Sequence, residues 1–160
     1  MKRALLLAAL LCSLSFMAGA QDFDRGAAAY YRGDYASALR EWRPLAERGK
    51  AEVQTILGAM YYEGKGVPQD YAEAVKWYRK AAEQGEADAQ HNLGLSHEQG
   101  LGVPRDYVEA YIWFSLAAIA GDQEAPEYRD RAAKLLSPDQ MRAAQREAKK
   151  RWDRIRARRK

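Results

Sequence analysis

AEVQTILGAMYYEGKGVPQDYAEAVKWYRKAAEQGE, residues 51–86, is followed without a gap by ADAQHNLGLSHEQGLGVPRDYVEAYIWFSLAAIAGD, residues 87–122. Laid over each other, the two stretches agree at 16 of 36 positions. Chance would give about two, since a common residue fills roughly a twentieth to a tenth of positions. The shared pairs include Leu57 with Leu93, Gly58 with Gly94, Gly64 with Gly100, Gly66 with Gly102, Asp70 with Asp106, Trp77 with Trp113 and Gly85 with Gly121. A unit of this length repeated in tandem is a solenoid building block, which buries its apolar face against its neighbours.

Each unit reads helix, loop, helix. In residues 51–63 the apolar positions Val53, Ile56, Leu57, Met60 and Tyr61 recur at spacings of three and four, the period of a helix face. Gly58 sits inside that helix, where it costs about 1 kcal/mol relative to alanine. Its return as Gly94 implies that a neighbouring helix comes too close for a side chain. The loop from Gly64 to Gln69 has two glycines suited to positive φ, Gly64 and Gly66, and a proline that discourages further helix. Gly100, Gly102 and Pro104 repeat it in the second unit. Asp70 is placed to cap the second helix, with Glu73 three residues on completing a capping box; Asp106 and Glu109 repeat the arrangement. Ala74, Trp77, Tyr78, Ala81 and Ala82 form the buried face, and Gly85 ends the helix.

These residues resemble the Sel1-like repeat, a relative of the tetratricopeptide repeat with a longer first loop. The motif is carried by Leu57-Gly58, Tyr61, Gly64-x-Gly66-Val67-Pro68-x-Asp70-Tyr71, Ala74, Trp77-Tyr78 and Ala81-Ala82-x-x-Gly85, with partners 36 residues on. His97 departs from the pattern, standing where the first copy has Tyr61. The resemblance implies an all-α, right-handed superhelix of antiparallel helix pairs, with a C-terminal capping helix. It also implies a non-enzymatic protein-interaction module.

Both ends are degenerate. Residues 21–50 read as a shortened first unit: Asp34-Tyr35, Ala38, Ala46 and Gly49 lie 36 residues before Asp70-Tyr71, Ala74, Ala82 and Gly85. Upstream an offset of 31 pairs Ala27 with Gly58 and Tyr30 with Tyr61, as if five loop residues were missing. Residues 123–160 read as a cap. Tyr128, Ala132, Leu135 and Leu136 make one helical stripe, and Ser137-Pro138-Asp139-Gln140 starts a last helix with Met141, Ala144, Ala148, Trp152 and Ile155 on its apolar side.

Residues 1–20 read as a secretory signal peptide: Lys2 and Arg3, a short apolar run, then Ala18-Gly19-Ala20 before Gln21. The run is short of the ~20 residues that span a bilayer. The expected location is the periplasm or the exterior. The single cysteine, Cys12, lies in that leader, so the remaining chain has no thiol chemistry. Residues 142–160 carry ten basic and two acidic side chains, so the overall +4 is concentrated there, and residues 21–141 sum to −6. The basic tail reads as the solvated end of the cap, a contact for anionic lipid or glycan, or a segment that docks into an acidic groove. Export argues against nucleic acid, and no base-reading module is present.

No catalytic constellation can be assembled. Gly64-x-Gly66 lacks the third glycine of a dinucleotide loop, and the spacing from Gly58 fails for a phosphate loop. His91 and His97 are six apart with no cysteine, which does not suit zinc. Ser96, Ser115 and Ser137 have no histidine–carboxylate partner. Some cysteine-rich Sel1-like proteins are linked to β-lactam hydrolysis, but their paired cysteines are missing here. No cofactor or metal is expected, and a hydrolase is the third choice behind two binding readings.

Similarity to tetratricopeptide units implies that the first helix of each pair lines a concave face. The positions turned away from the apolar stripe are Asp24, Tyr31 and Arg32; Glu52, Thr55, Tyr62 and Glu63; Asp88, His91, Glu98 and Gln99. They are acidic with interspersed aromatics, a surface suited to a basic or amphipathic peptide.

Overall fold

The computed structural model describes residues 22–158, so the leader reading lies outside the described residues. Those residues form eight helices and no strand. They are α1 (22–31), α2 (Tyr35–Glu47), α3 (Ala51–Glu63), α4 (Tyr71–Ala82), α5 (Ala87–Gln99), α6 (Tyr107–Ala120), α7 (Ala125–Ala133) and α8 (Pro138–Arg158). Successive helices pack on each other from α2 to α7, and α8 folds back onto α6. This is the expected all-α solenoid of helix pairs with a C-terminal cap.

The repeated glycines set the helix separation. A Cβ on Gly58 would stand 2.5 Å from the Tyr78 ring, and one on Gly94 2.5 Å from the Phe114 ring. The second helix of each pair thus packs an aromatic ring directly against the glycine of its partner. Gly26 meets the Trp42 ring in the same way. Trp42 precedes Tyr78 by 36 residues, but Gly26 precedes Gly58 by 32. The loop-closing hydrogen bond agrees: Asp70 N–H donates to Tyr61 O, Asp106 N–H to His97 O, and Asp34 N–H to Ala29 O. The first unit therefore lacks four loop residues, not five, and Gly26 and Ala29, not Ala27 and Tyr30, match Gly58 and Tyr61. Tyr30 misled the alignment because aromatic identity outweighs a glycine–alanine mismatch when packing is unseen.

The loop glycines have two different duties. Gly64 and Gly100 end α3 and α5 in the left-handed region, at φ 72° and 74°. Gly66 and Gly102 have the same sign of φ, at 74° and 73°, but they also meet a neighbouring backbone. A Cβ on Gly66 would stand 2.7 Å from the Tyr35 carbonyl, and one on Gly102 would clash with the Tyr71 carbonyl. Each loop therefore rests on the first turn of the preceding unit's second helix. The sequence announced the turn at Gly100 and Gly102; the contact between units at Gly102 it did not.

Asp70 and Asp106 cap as expected, accepting from Glu73 N–H and from Val108 and Glu109 N–H. The second half of the capping box does not form. The Asp N–H that it would satisfy is already committed to Tyr61 O or His97 O. Glu73 pairs instead with Lys76, and Glu109 with Arg151. At α8 the box is complete: Gln140 N–H donates to Ser137 Oγ, and Ser137 N–H to Gln140 Oε1. Leu135 lies beyond the end of α7 and is 56% exposed, so it does not continue that helix's stripe.

Two further interactions tie unit to unit. Gln54 Nε2 donates to Ala46 O at 2.8 Å, and Gln90 Nε2 to Ala82 O at 3.0 Å, so each buried amide binds a carbonyl at the end of the preceding helix. The core runs as two clusters along the solenoid. One is built around Trp42, Leu45, Leu57, Met60 and Trp77; the other reaches from Ala74 to Ile155. α6 is apolar on all sides, as suits a helix packed against α5, α7 and α8.

Candidate functional site: the groove of the first helices

α1, α3 and α5 line one side of the solenoid and leave two clefts on it. The first is bordered by Phe23, Ala27, Tyr30, Tyr31, Trp42, Glu52, Ile56, Ala59 and Met60. The second is bordered by Thr55, Ile56, Ala59, Asp88, His91, Asn92 and residues 121–124. Ile56 and Ala59 border both, so the two clefts, of about 370 and 650 Å³, adjoin across α3 as the two parts of a groove. The first end is aromatic and apolar. The second is acidic, with Asp88, Asp122 and Glu124.

The structure brings together five of the eleven residues that the sequence placed on this face: Tyr31, Glu52, Thr55, Asp88 and His91. Tyr31 is 88% exposed. Asp24 and Arg32 are exposed but border neither cleft. The other four lie at the far ends of α3 and α5 and are committed elsewhere or stand apart. Tyr62 packs edge-on against Tyr71 at 5.0 Å. Glu63 pairs with Lys65 at 2.6 Å. Glu98 accepts two hydrogen bonds from Arg131, at 2.9 and 2.6 Å. Gln99 is exposed and borders neither cleft.

His91 serves the fold as well as the groove. Its Nδ1 lies 2.8 Å from Asp122 Oδ2, and its ring stands edge-on to Phe114 and Tyr128. Asp122 in turn accepts from the N–H groups of Glu124 and Ala125 at the start of α7. Burial works against the Asp122 carboxylate, but these two N–H groups and His91 outweigh it and hold its pKa below the ordinary value. Thr55 bonds its own helix through Ala51 O.

Sequence reasoning missed Ile56, Ala59, Tyr30 and the loop residues Asp122 and Glu124. Ile56 was assigned to the core stripe, yet it is only partly buried. The available signal was excess: α3 carries more apolar residues than one core-facing stripe needs. The loop residues gave no periodic signal at all.

Among the described residues there is no cluster of three or more metal-ligating side chains. The serines are engaged locally: Ser96 Oγ donates to Asn92 O, Ser115 Oγ to Tyr111 O, and Ser137 caps α8. No described helix is long and apolar enough to cross a membrane.

The Sel1 repeat model matches residues 51–86 and 87–122, the same two units that the internal alignment defines. The centre of the solenoid thus consists of two Sel1 repeats in tandem. Two solved structures bear this out. One is c5321, described as a protective antigen present in uropathogenic Escherichia coli strains displaying an SLR fold. It is 32% identical over 87% of this chain and 32% of its own length, with a TM-score of 0.76. The other is a Sel1 repeat protein from Oxalobacter formigenes, 40% identical over 60% of this chain and 28% of its own, with a TM-score of 0.58. The chain thus spans about a third of the length of these relatives. A search of curated proteins finds no match. Sel1 repeats generally mediate protein–protein interaction and are generally non-catalytic.

Proposed function

We propose that the groove of α1, α3 and α5 binds a segment of another protein in the bacterial envelope, after removal of the leader at Ala20–Gln21. The observation that carries this reading is the continuity of an aromatic floor with an acidic wall across the shared Ile56 and Ala59. A partner segment with an apolar anchor beside basic residues matches both halves. The aromatic end supplies anchoring area, and the acidic end supplies steering and register. The packed helices hold the groove in shape before binding, so little ordering entropy is lost there.

The test is retention of envelope proteins by the purified wild type and by a variant carrying Tyr31→Ala, Ile56→Glu and Asp88→Asn. A partner held by the wild type and released by the variant, at equal helicity, is the expected result. Equal retention by both removes the groove from consideration.

A second reading assigns the function to the basic tail. It draws support from exposed cations on α8, Lys149, Lys150 and Arg156. It requires binding to anionic vesicles that neutralising Lys150 and Arg156 abolishes and the groove variant spares.

A further inference from the structure

The tyrosine-to-histidine difference between the two repeats changes more than one side chain. In the first, Arg43 of α2 donates to the Tyr61 hydroxyl at 2.5 Å, with its guanidinium 5.9 Å from the ring centroid. Arg79 and His97 hold the same places 36 residues on. An imidazole is shorter than a phenol and carries no hydroxyl at that reach. His97 is only 7% exposed, and neither of its ring nitrogens has a hydrogen-bond partner. Arg79 makes no ion pair among the described residues.

What opens beside them is a partly open cavity of about 340 Å³, lined by residues of α4, α5, α6 and α8. Trp113 lines it at 3% exposure, and its indole N–H is also without a partner. The walls carry four arginines against three glutamates. Arg151 is already committed, donating to Glu109 at 2.7 and 2.8 Å and to Glu147 at 3.0 Å. Arg158 stands 3.9 Å from Glu83. Arg154, like Arg79, has no ion pair among the described residues.

Buried polar groups without partners are uncommon, and each costs free energy unless something satisfies it. Water could answer the indole and the imidazole. The walls also carry one more cation than anion, and Arg79 and Arg154 have donors free to turn inward. An anion with several acceptor oxygens answers both, because it takes donors from the arginines, the indole and one imidazole nitrogen together. We propose that this cavity binds the oxyanion head group, carboxylate or phosphate, of a small ligand. The apolar flank of Ile155 and the Trp113 ring leaves room for the organic part.

The experiment titrates the purified protein with sodium phosphate and, separately, with sodium acetate, each against sodium chloride of equal ionic strength. The readout is the Trp113 indole N–H resonance, assigned with Trp113→Phe. The expected result is a saturable shift with one oxyanion and none with chloride. Saturation by phosphate alone assigns a phosphate head group; saturation by acetate alone assigns a carboxylate. His97→Tyr restores the residue of the first repeat and is expected to abolish the shift. Arg79→Gln and Arg154→Gln, both at exposed positions, are each expected to weaken binding by about tenfold, the worth of one charge-assisted contact. They decide the matter should His97→Tyr lose helicity. The proposal is overturned if neither oxyanion saturates, if chloride gives the same shift, or if the variants that fold bind as the wild type does.

Discussion

Gly94 and His97, three residues apart on one helix, show how much a single position carries. Alanine at Gly94 gains helix propensity worth about 1 kcal/mol. It also places a methyl group against the Phe114 ring, which is fully buried and has nowhere to go. Overpacking of this kind typically costs about 1–3 kcal/mol. Gly94→Ala is therefore expected to lower the urea midpoint, and an unchanged or raised midpoint would refute the close approach. His97 gives a pH signature. Burial first, then Arg79 and Arg151, push its pKa below the ordinary value near 6.5, against the opposing pull of Glu109 and Asp106. The unfolded chain thus binds a proton in a window where the folded chain does not. Stability is expected to fall as pH drops below about 6.5 and on through the lower folded-state pKa. The carboxylates Glu109 and Asp122, whose own values are lowered, act further down the scale. His97→Tyr should flatten the upper part of that profile in thermal melts; an unchanged slope there would assign it to another group.

At the scale of the helix, the caps divide the work unevenly. Asp106 accepts two backbone N–H groups at the start of α6, and removal of such a cap costs about 1 kcal/mol. Asp106→Ala is expected to lose about that much, measured by urea unfolding. Glu109→Gln should cost stability through Arg151 and not through the cap, since its side chain never reaches Asp106 N–H. Gln90 staples α5 to the end of α4, and Gln90→Leu removes that bond while the Ala82 carbonyl keeps the one from Gly85 N–H, an expected loss of about 0.5–1.5 kcal/mol. Most of this architecture was legible in the sequence. The helix–loop–helix period, the close approach at Gly58 and Gly94, the turns at Gly64 and Gly100, the Asp caps and the Ser137 box all follow from local chemistry repeated 36 residues apart. The register of the first unit was not legible, because it depends on which residue a distant ring covers. Nor was the groove. Side chains at the ends of α3 and α5 look free along the helix, but Glu98 meets Arg131 and Tyr62 meets Tyr71 only in three dimensions. The loop at 121–124 reaches the groove because α7 folds back there, which no periodicity announces.

Across the molecule, stability passes from unit to unit through nearest neighbours. α8 closes the series by burying Ala144, Ala148 and Ile155 and by locking Arg151 onto Glu109. Arg151→Ala leaves a partly buried carboxylate without its partner, and charged hydrogen bonds of this kind contribute about 1.5–3 kcal/mol. The expected outcome is faster hydrogen exchange confined to α8 and its face of α6, with α2 and α3 unaffected; uniform acceleration would mean that the solenoid unfolds only as a whole. The groove draws on α1, α3 and α5, and the arginine-lined cavity on α4, α5, α6 and α8. The groove reading is tested most directly by photo-crosslinking in living cells, with the crosslinker placed in turn at Tyr31, at Asp88 and, on the opposite side, at Lys76. The account predicts adducts with the same protein from Tyr31 and Asp88 and none from Lys76. Adducts from Lys76 alone, or the same set from all three positions, would contradict it.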